Sequence, residues 1–179
     1  MALVIGLTGR MGAGKGTAAE HLKKKYKARQ FVYSDILADA LRRLHIEVTR
    51  ANLQALGKCL REGMGKEVLV DAMKGDLETA KDKVLLVDGL RYINEVEMLR
   101  KFKDNILIFV DAPAEQRYER LRKRAQKGEG SMTLKQFKER EGAATEKELG
   151  ALKKMADCVI ENTGSVKELC DAVDSAMAG

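Results

Sequence analysis

The chain has 179 residues, with 33 Lys and Arg against 27 Asp and Glu, and so a net charge of +6. That length supports one domain with its own core, and the basic balance points to an anionic partner, either a small phosphate ester or a nucleic acid. Two histidines and three cysteines with no Cys-x-x-Cys pair argue against a Cys/His zinc site, and the odd, scattered cysteines fit a reducing, cytoplasmic compartment.

The longest apolar runs, Ala2–Leu7 and Ile106–Val110, fall far short of the ~20 residues a spanning helix needs, so no membrane segment is expected. No basic stretch precedes the first strand, so no secretory leader is expected either.

Leu3–Leu7 reads as a buried strand, and residues 17–27 as a helix whose Lys23, Lys24 and Lys25 suit a C-terminal turn. Phe31–Tyr33 is a short strand, and Ser34 or Asp35 is placed to cap the next helix, which runs to Leu44. Thr49 caps a helix to Glu62, Gly63–Gly65 breaks it, and another helix follows to Ala80. Val84–Asp88 is a strand with a helix after it to Phe102, and Ile106–Val110 is a strand with a helix over Glu115–Gln126. Beyond the break Gly128-Glu129-Gly130-Ser131 a polar helical stretch starts at Thr133. Cys158–Ile160 is a weak last strand and Val166–Met177 a last helix.

Apolar strands alternating with helices make a parallel sheet covered on both faces. Five strands in this order predict an α/β fold, a doubly wound five-stranded parallel sheet, as one domain over residues 1–179. Two segments exceed what a crossover needs. Residues 35–80 form a helical insertion, and residues 126–150 are polar and Gly-broken, like a small mobile lid.

Gly9-Arg10-Met11-Gly12-Ala13-Gly14-Lys15-Gly16-Thr17 lies between the first strand and the first helix. Gly9, four residues, then Gly14-Lys15 matches the Walker A frame. Its glycines let successive N–H groups converge on phosphate oxygens, and the helix N-terminus adds partial positive charge. Lys15 then reaches the β- and γ-phosphates. The predicted ATP-phosphate site is therefore Arg10, Met11, Gly12, Ala13, Gly14, Lys15, Gly16 and Thr17.

The Gly14-Lys15-Gly16-Thr17 ending resembles adenylate kinases and other P-loop nucleoside monophosphate kinases. The resemblance implies ATP as donor and Mg²⁺ held largely through phosphates and water, with Thr17 and Asp88 assigned to its shell. Val84–Asp88 followed by Gly89-Leu90-Arg91 resembles the Walker B strand and Asp-Gly-x-x-Arg neighbourhood, shortened by one residue. By that resemblance Asp88 orders the Mg²⁺ shell and Arg91 grips the acceptor phosphate. An Asp at a strand end is also a common cap for the next helix.

Tyr33-Ser34-Asp35-Ile36-Leu37 resembles the Gly-Asp-x-x-Arg segment that opens the acceptor helices. Asp35 matches. The expected Arg is Ala38, with Arg42 and Arg43 one turn later. Thr49-Arg50, Leu53–Gly57 and Leu90–Val96 resemble the acceptor side of phage-type deoxynucleoside monophosphate kinases. There Arg50 would carry phosphate charge and Gln54 would read a base edge, or both would simply lie on a polar helix face. Glu95 takes the place of a base-reading Gln and would favour a base that offers an amino group.

Arg117–Arg124 resembles the segment leading into the kinase lid, with Arg120 and Arg124 on one helix face. The resemblance stacks Arg120 on the donor adenine and sets Arg124 on phosphates. Arg140, within Phe137–Glu141, resembles the second lid arginine. Ala156–Ser165 and the opening Ile5–Gly9 resemble dephospho-coenzyme A kinases, whose loop after the last strand lies beside the donor base. Asn162 and Gly164 fall there, and Asn162 reads equally as a turn residue. Taken together, the chain resembles archaeal adenylate-kinase-related proteins, which share the Walker A, Asp-Gly-x-Arg, lid-arginine and Ala-Asp…Asn elements in the same order.

The resemblance implies an ATP-dependent nucleotide kinase that moves the γ-phosphoryl of Mg-ATP to a nucleoside monophosphate, AMP or a dNMP. Lys15, Arg120, Arg124, Arg140 and Asp88 would be its catalytic set, and Asp35, Arg50, Gln54, Arg91 and Glu95 its acceptor set. Two alternatives stay open. A dephospho-coenzyme A kinase would need a general base for a ribose hydroxyl, and Asp35 would be the candidate. A nucleotide-gated RNA or assembly factor would use the +6 charge, but 4% aromatic residues give nucleic acid no stacking platform. A small-molecule nucleotide is the expected partner, and the chain is expected as a monomer or homodimer.

Overall fold

Five stretches become strands: β1 (Leu3–Gly9), β2 (Arg29–Val32), β3 (Val84–Leu90), β4 (Asn105–Asp111) and β5 (Cys158–Glu161), with the central β1, β3 and β4 the most apolar. They pair in the order β2-β3-β1-β4-β5, and every pair is parallel. The computed structural model describes residues 2–124, 133–141 and 144–178, without the side chains at 124, 140 and 144–147.

Successive side chains along a strand point to opposite faces. Ile5, Leu7, Leu86, Ile108 and Val110 face α1 (Lys15–Tyr26) and α9 (Val166–Ala178), through Ala18, Ala19, Leu22, Leu169 and Val173. On the other face Val4, Leu85, Val87, Leu107 and Phe109 meet helices α2 (Tyr33–Arg43), α3 (Arg50–Met64), α4 (Val68–Thr79), α5 (Ile93–Leu99) and α8 (Ala144–Met155). Each fully buried Leu or Ile contributes about 1.5–3 kcal/mol relative to exposure. Burial on both faces is why these strands read as unbroken apolar runs rather than as alternation. The remaining helices are α6 (Ala114–Arg124) and α7 (Leu134–Glu141).

Several local boundaries differ from the sequence expectation: α1 starts at Lys15 rather than residue 17, and α5 ends at Leu99 rather than Phe102. Tyr33 starts α2 instead of ending a strand, because its ring is buried in the core beneath that helix. Ser34 and Asp35 therefore lie within the first turn. The cap is Val32, which offers no side-chain acceptor. α3 runs through Gly63 and stops only at Gly65. The Thr49 cap forms as expected, its hydroxyl accepting from the Asn52 amide at 3.1 Å.

The end of β3 carries an irregularity that positions the site. Leu7 pairs with Asp88, yet Thr8 pairs with Leu90, so Gly89 is an extra residue, at φ 85°. That conformation suits glycine alone among common residues and makes the strand turn after Asp88. The buried Thr8 hydroxyl locks the turn by donating to the Leu90 carbonyl at 2.6 Å. β1 is central, so its C-terminal end and the loop after it lie between the ends of β3 and β4. Ligands of open parallel sheets bind at such a position.

Candidate functional site

The loop from Arg10 to Gly14 turns directly into α1. Gly14 is the cap, at φ 115°, and a Cβ there would collide with Asn162 Nδ2. α1 has neither a capping side chain nor an acid in its first turn, so nothing in the helix offsets the positive end of its dipole. Lys15 begins the helix and curls back. Its Nζ donates to the carbonyls of Gly9 at 2.6 Å and Arg10 at 2.9 Å.

Asn162, only 8% exposed, braces the loop from the far side. Its Nδ2 donates to the Ala13 carbonyl at 2.7 Å, and its backbone amide donates to the Asp111 carbonyl at 2.7 Å. Its side chain is thus committed to the loop rather than turned toward a base. Arg120 closes the same junction, with Nη2 donating to the Asn162 carbonyl at 2.9 Å and Nη1 to the Ala13 carbonyl at 3.4 Å. Gly164 is exposed beyond it, beside the Glu168 carboxylate. Gly16 is exposed and Thr17 half-buried on the first turn of α1.

Asp88 stands at the end of β3, where its Oδ2 accepts from Gln30 Nε2 at 2.8 Å. Burial pushes its carboxyl above the ordinary value, while the Lys15 charge, the Gln30 bond and Arg91 pull the other way. Lys15, Asp88 and Arg91 therefore share one electrostatic neighbourhood. An all-oxygen pair of carboxylate and hydroxyl, Asp88 and Thr17, has the hard-donor chemistry that Mg²⁺ accepts.

On the acceptor side the expectations divide. Asp35, Arg50, Gln54 and Arg91 are all exposed. Glu95 is not available to a base. Its Oε2 accepts from the amides of Arg91 at 2.6 Å and Tyr92 at 3.2 Å, which satisfies the start of α5. The physical reason is its position, three residues after Tyr92, where a carboxylate folds back on the helix N-terminus. Ala38 is 4% exposed and faces the core, while Arg42 is exposed and paired with Asp39 at 2.6 Å. The side chains of Arg124 and Arg140, and residues 125–132 and 142–143 of the expected lid, lie outside the described residues.

Four further residues belong to this region and escaped the sequence reading. Gln30 holds Asp88 from the neighbouring strand. Arg61 lies over the Tyr92 ring at 5.4 Å and acts electrostatically on Glu95 and on the buried Tyr33 hydroxyl. Lys153 bridges Asp111 and Glu161, both at 2.8 Å. Arg117 is buried among α6, α7 and the loop. Only Arg117 carried a signal, since it stands four residues before the buried Leu121 and so shares its helix face.

Residues 5–142 match the family model described as an AAA domain. The chain is similar to the UPF0200 protein MJ1399 of Methanocaldococcus jannaschii, 32% identical over 175 residues, with 97% of this chain and 88% of that protein covered. Among solved structures it resembles TT1252 from Thermus thermophilus, with TM-score 0.64, 20% identity and coverage of 99% and 97% of the two chains. It also resembles shikimate kinase from Acinetobacter baumannii in complex with shikimate, with TM-score 0.61, 17% identity and coverage of 99% and 94%. At these identities the structural likeness is one of fold, the five-stranded parallel α/β sheet of P-loop kinases.

Proposed function

This chain belongs to the family described as an AAA domain and to the UPF0200 proteins, and on that premise we propose that it is an ATP-dependent nucleotide kinase. ATP lays its phosphates along Arg10–Thr17, and its γ-phosphoryl passes to a phosphate oxygen of a nucleoside monophosphate, AMP or a dNMP. The bond to the β-phosphate oxygen breaks as the bond to the acceptor oxygen forms, giving ADP and a nucleoside diphosphate. A phosphate acceptor is already anionic at neutral pH, so no dedicated general base is required.

Lys15 exchanges the Gly9 and Arg10 carbonyls for β- and γ-oxygens, which it can do because it is already folded over the loop. Arg120, beside Ala13 and Asn162, stacks on the donor base and adds charge at the loop. Arg124 and Arg140 take the equatorial oxygens of the group in flight. Asp88 and Thr17 would hold Mg²⁺ largely through water and phosphates, and the charge neutralisation such an ion supplies would fall on the phosphates. Residues 35–80 serve as the acceptor insertion, and of the expected lid over 126–150 the part before α8 excludes water, since Leu149 of α8 is packed in the sheet core. Asp35, Arg50, Gln54 and Arg91 position the acceptor.

The observation that carries this reading is the uncompensated N-terminus of α1 with Lys15, Arg120 and Asp88 gathered around it. The test is ADP production from Mg-ATP with a panel of ribo- and deoxynucleoside monophosphates and dephospho-coenzyme A. Turnover with one monophosphate class is expected. Turnover with dephospho-coenzyme A alone would replace the acceptor and make Asp35 the base. An equally slow ADP release whatever is added would remove the kinase reading and direct attention to RNA.

A further inference from the structure

Between α6 and α7 lies an arginine that phosphoryl transfer leaves unused. Arg117 is 4% exposed, and all three of its nitrogens are engaged. Nε donates to the Ala112 carbonyl at 2.7 Å, Nη1 donates to the Met11 carbonyl at 3.3 Å, and Nη2 pairs with Glu141 Oε1 at 2.5 Å. Ala112 follows β4, Met11 is on the phosphate loop and Glu141 ends α7, so one guanidinium ties three parts of the fold together.

An apolar contact runs beside it. Phe137 of α7 is fully buried against Leu121 of α6, with Met11, Ala114 and Tyr118 packed around them. Arg117 lies over the Phe137 ring at 5.4 Å. The Glu141 carboxylate also comes within 3.9 Å of Arg10 on the loop. The end of α7 therefore meets the loop directly at Arg10, and at Met11 through the Arg117 guanidinium.

We propose that Glu141 and Arg117 are a positioning pair through which α7 sets the shape of the phosphate loop. The inference rests on the reading that this loop binds ATP. A buried guanidinium stays charged, and without a carboxylate it is an unpaired cation beside an anion site. Glu141 neutralises it and keeps its planar fork on Met11 and Ala112. Lys15 and Arg120 are left to meet the ligand, while Arg117 holds the backbone that aims the loop amides. Removing Glu141 frees Nη2, and the guanidinium that donates to the Met11 and Ala112 carbonyls is no longer held from its far side. The lost negative charge would by itself favour phosphate. The loss of aim outweighs that gain, since misplacing a binding group by about 1 Å can cost a hundredfold.

A double-mutant cycle tests the pair, read as the affinity for a fluorescent ATP analogue. Glu141→Gln and Arg117→Met should each weaken binding on the order of tenfold, and the double variant should be no weaker than either. Glu141→Asp, which keeps the charge, should recover most of the loss. If Arg117→Met does not fold, Arg117→Lys keeps the charge without the fork and takes its place in the cycle. Glu141→Gln binding like the wild type, or losses that multiply in the double variant, would overturn the pair and leave the kinase reading standing. Wild-type protein that does not bind the analogue would remove both.

Discussion

Lys15 is the residue on which most of the chemistry depends, and its environment explains why it can be moved. Its ammonium donates to two backbone carbonyls, which are weaker partners than phosphate oxygens, and lies in the field of the Asp88 carboxylate. Lys15→Ala should therefore abolish nearly all phosphoryl transfer while leaving the far-ultraviolet circular dichroism unchanged. Arg91 is exposed at the turn after β3. Arg91→Ala should raise the acceptor KM at least tenfold with the ATP KM nearly constant, since a charge-assisted bond to phosphate contributes about 1.5–3 kcal/mol. An unchanged acceptor KM in steady-state assays would take Arg91 out of the pocket. Lys15 was legible because its role needs one residue type at one spacing. Glu95 was misleading because its partners are backbone amides, which leave no mark on side-chain identity.

The seam between α1 and α9 shows what helix pairing adds at the scale of elements. Asp174 of α9 accepts from three groups of α1: His21 Nε2 at 2.7 Å, Lys25 Nζ at 2.7 Å and the Tyr26 hydroxyl at 2.8 Å. These donors, Lys25 first and His21 next, hold its carboxyl well below the ordinary carboxylate range, and Asp171 lies one turn away on α9. A carboxyl lowered on folding stabilises the protein above its unfolded value and loses that contribution as pH falls through the folded one. Asp174→Asn should thus be less stable than the wild type at neutral pH, and the gap should narrow below about pH 4. Denaturant midpoints across a pH series would check this, and a gap constant with pH would contradict it. Sequence periodicity gave both helices, yet nothing in it paired residues 21 and 174.

At the scale of the whole molecule, the sheet order gathers the ends of β1, β3 and β4 into one crevice, to which the loop after β5 is also brought. A ligand bound there joins segments distant in sequence, and it stabilises the fold by mass action. At a hundredfold excess over Kd, ATP should add about 2.7 kcal/mol, which raises Tm on the order of 5–10 °C for a domain of this size. Scanning calorimetry of Lys15→Ala should show little of that rise. A wild-type protein whose Tm ignores ATP would speak against nucleotide binding at this loop.

The sequence alone determined the alternation of strands and helices, the parallel sheet covered on both faces and the phosphate loop. Each of these follows from local periodicity or from a residue type that one backbone geometry requires. It also gave the helices between residues 35 and 80, although it set Tyr33 in a strand where core burial makes it helical. Only the tertiary structure decided that Asn162 braces Ala13, that Gln30 holds Asp88, that Glu95 turns inward and that Arg117 meets Glu141 across the loop. Three of those four contacts join residues far apart in the chain, and Glu95 turns on backbone amides. Strand order and helix docking create the three distant contacts, and no local pattern of residues encodes either.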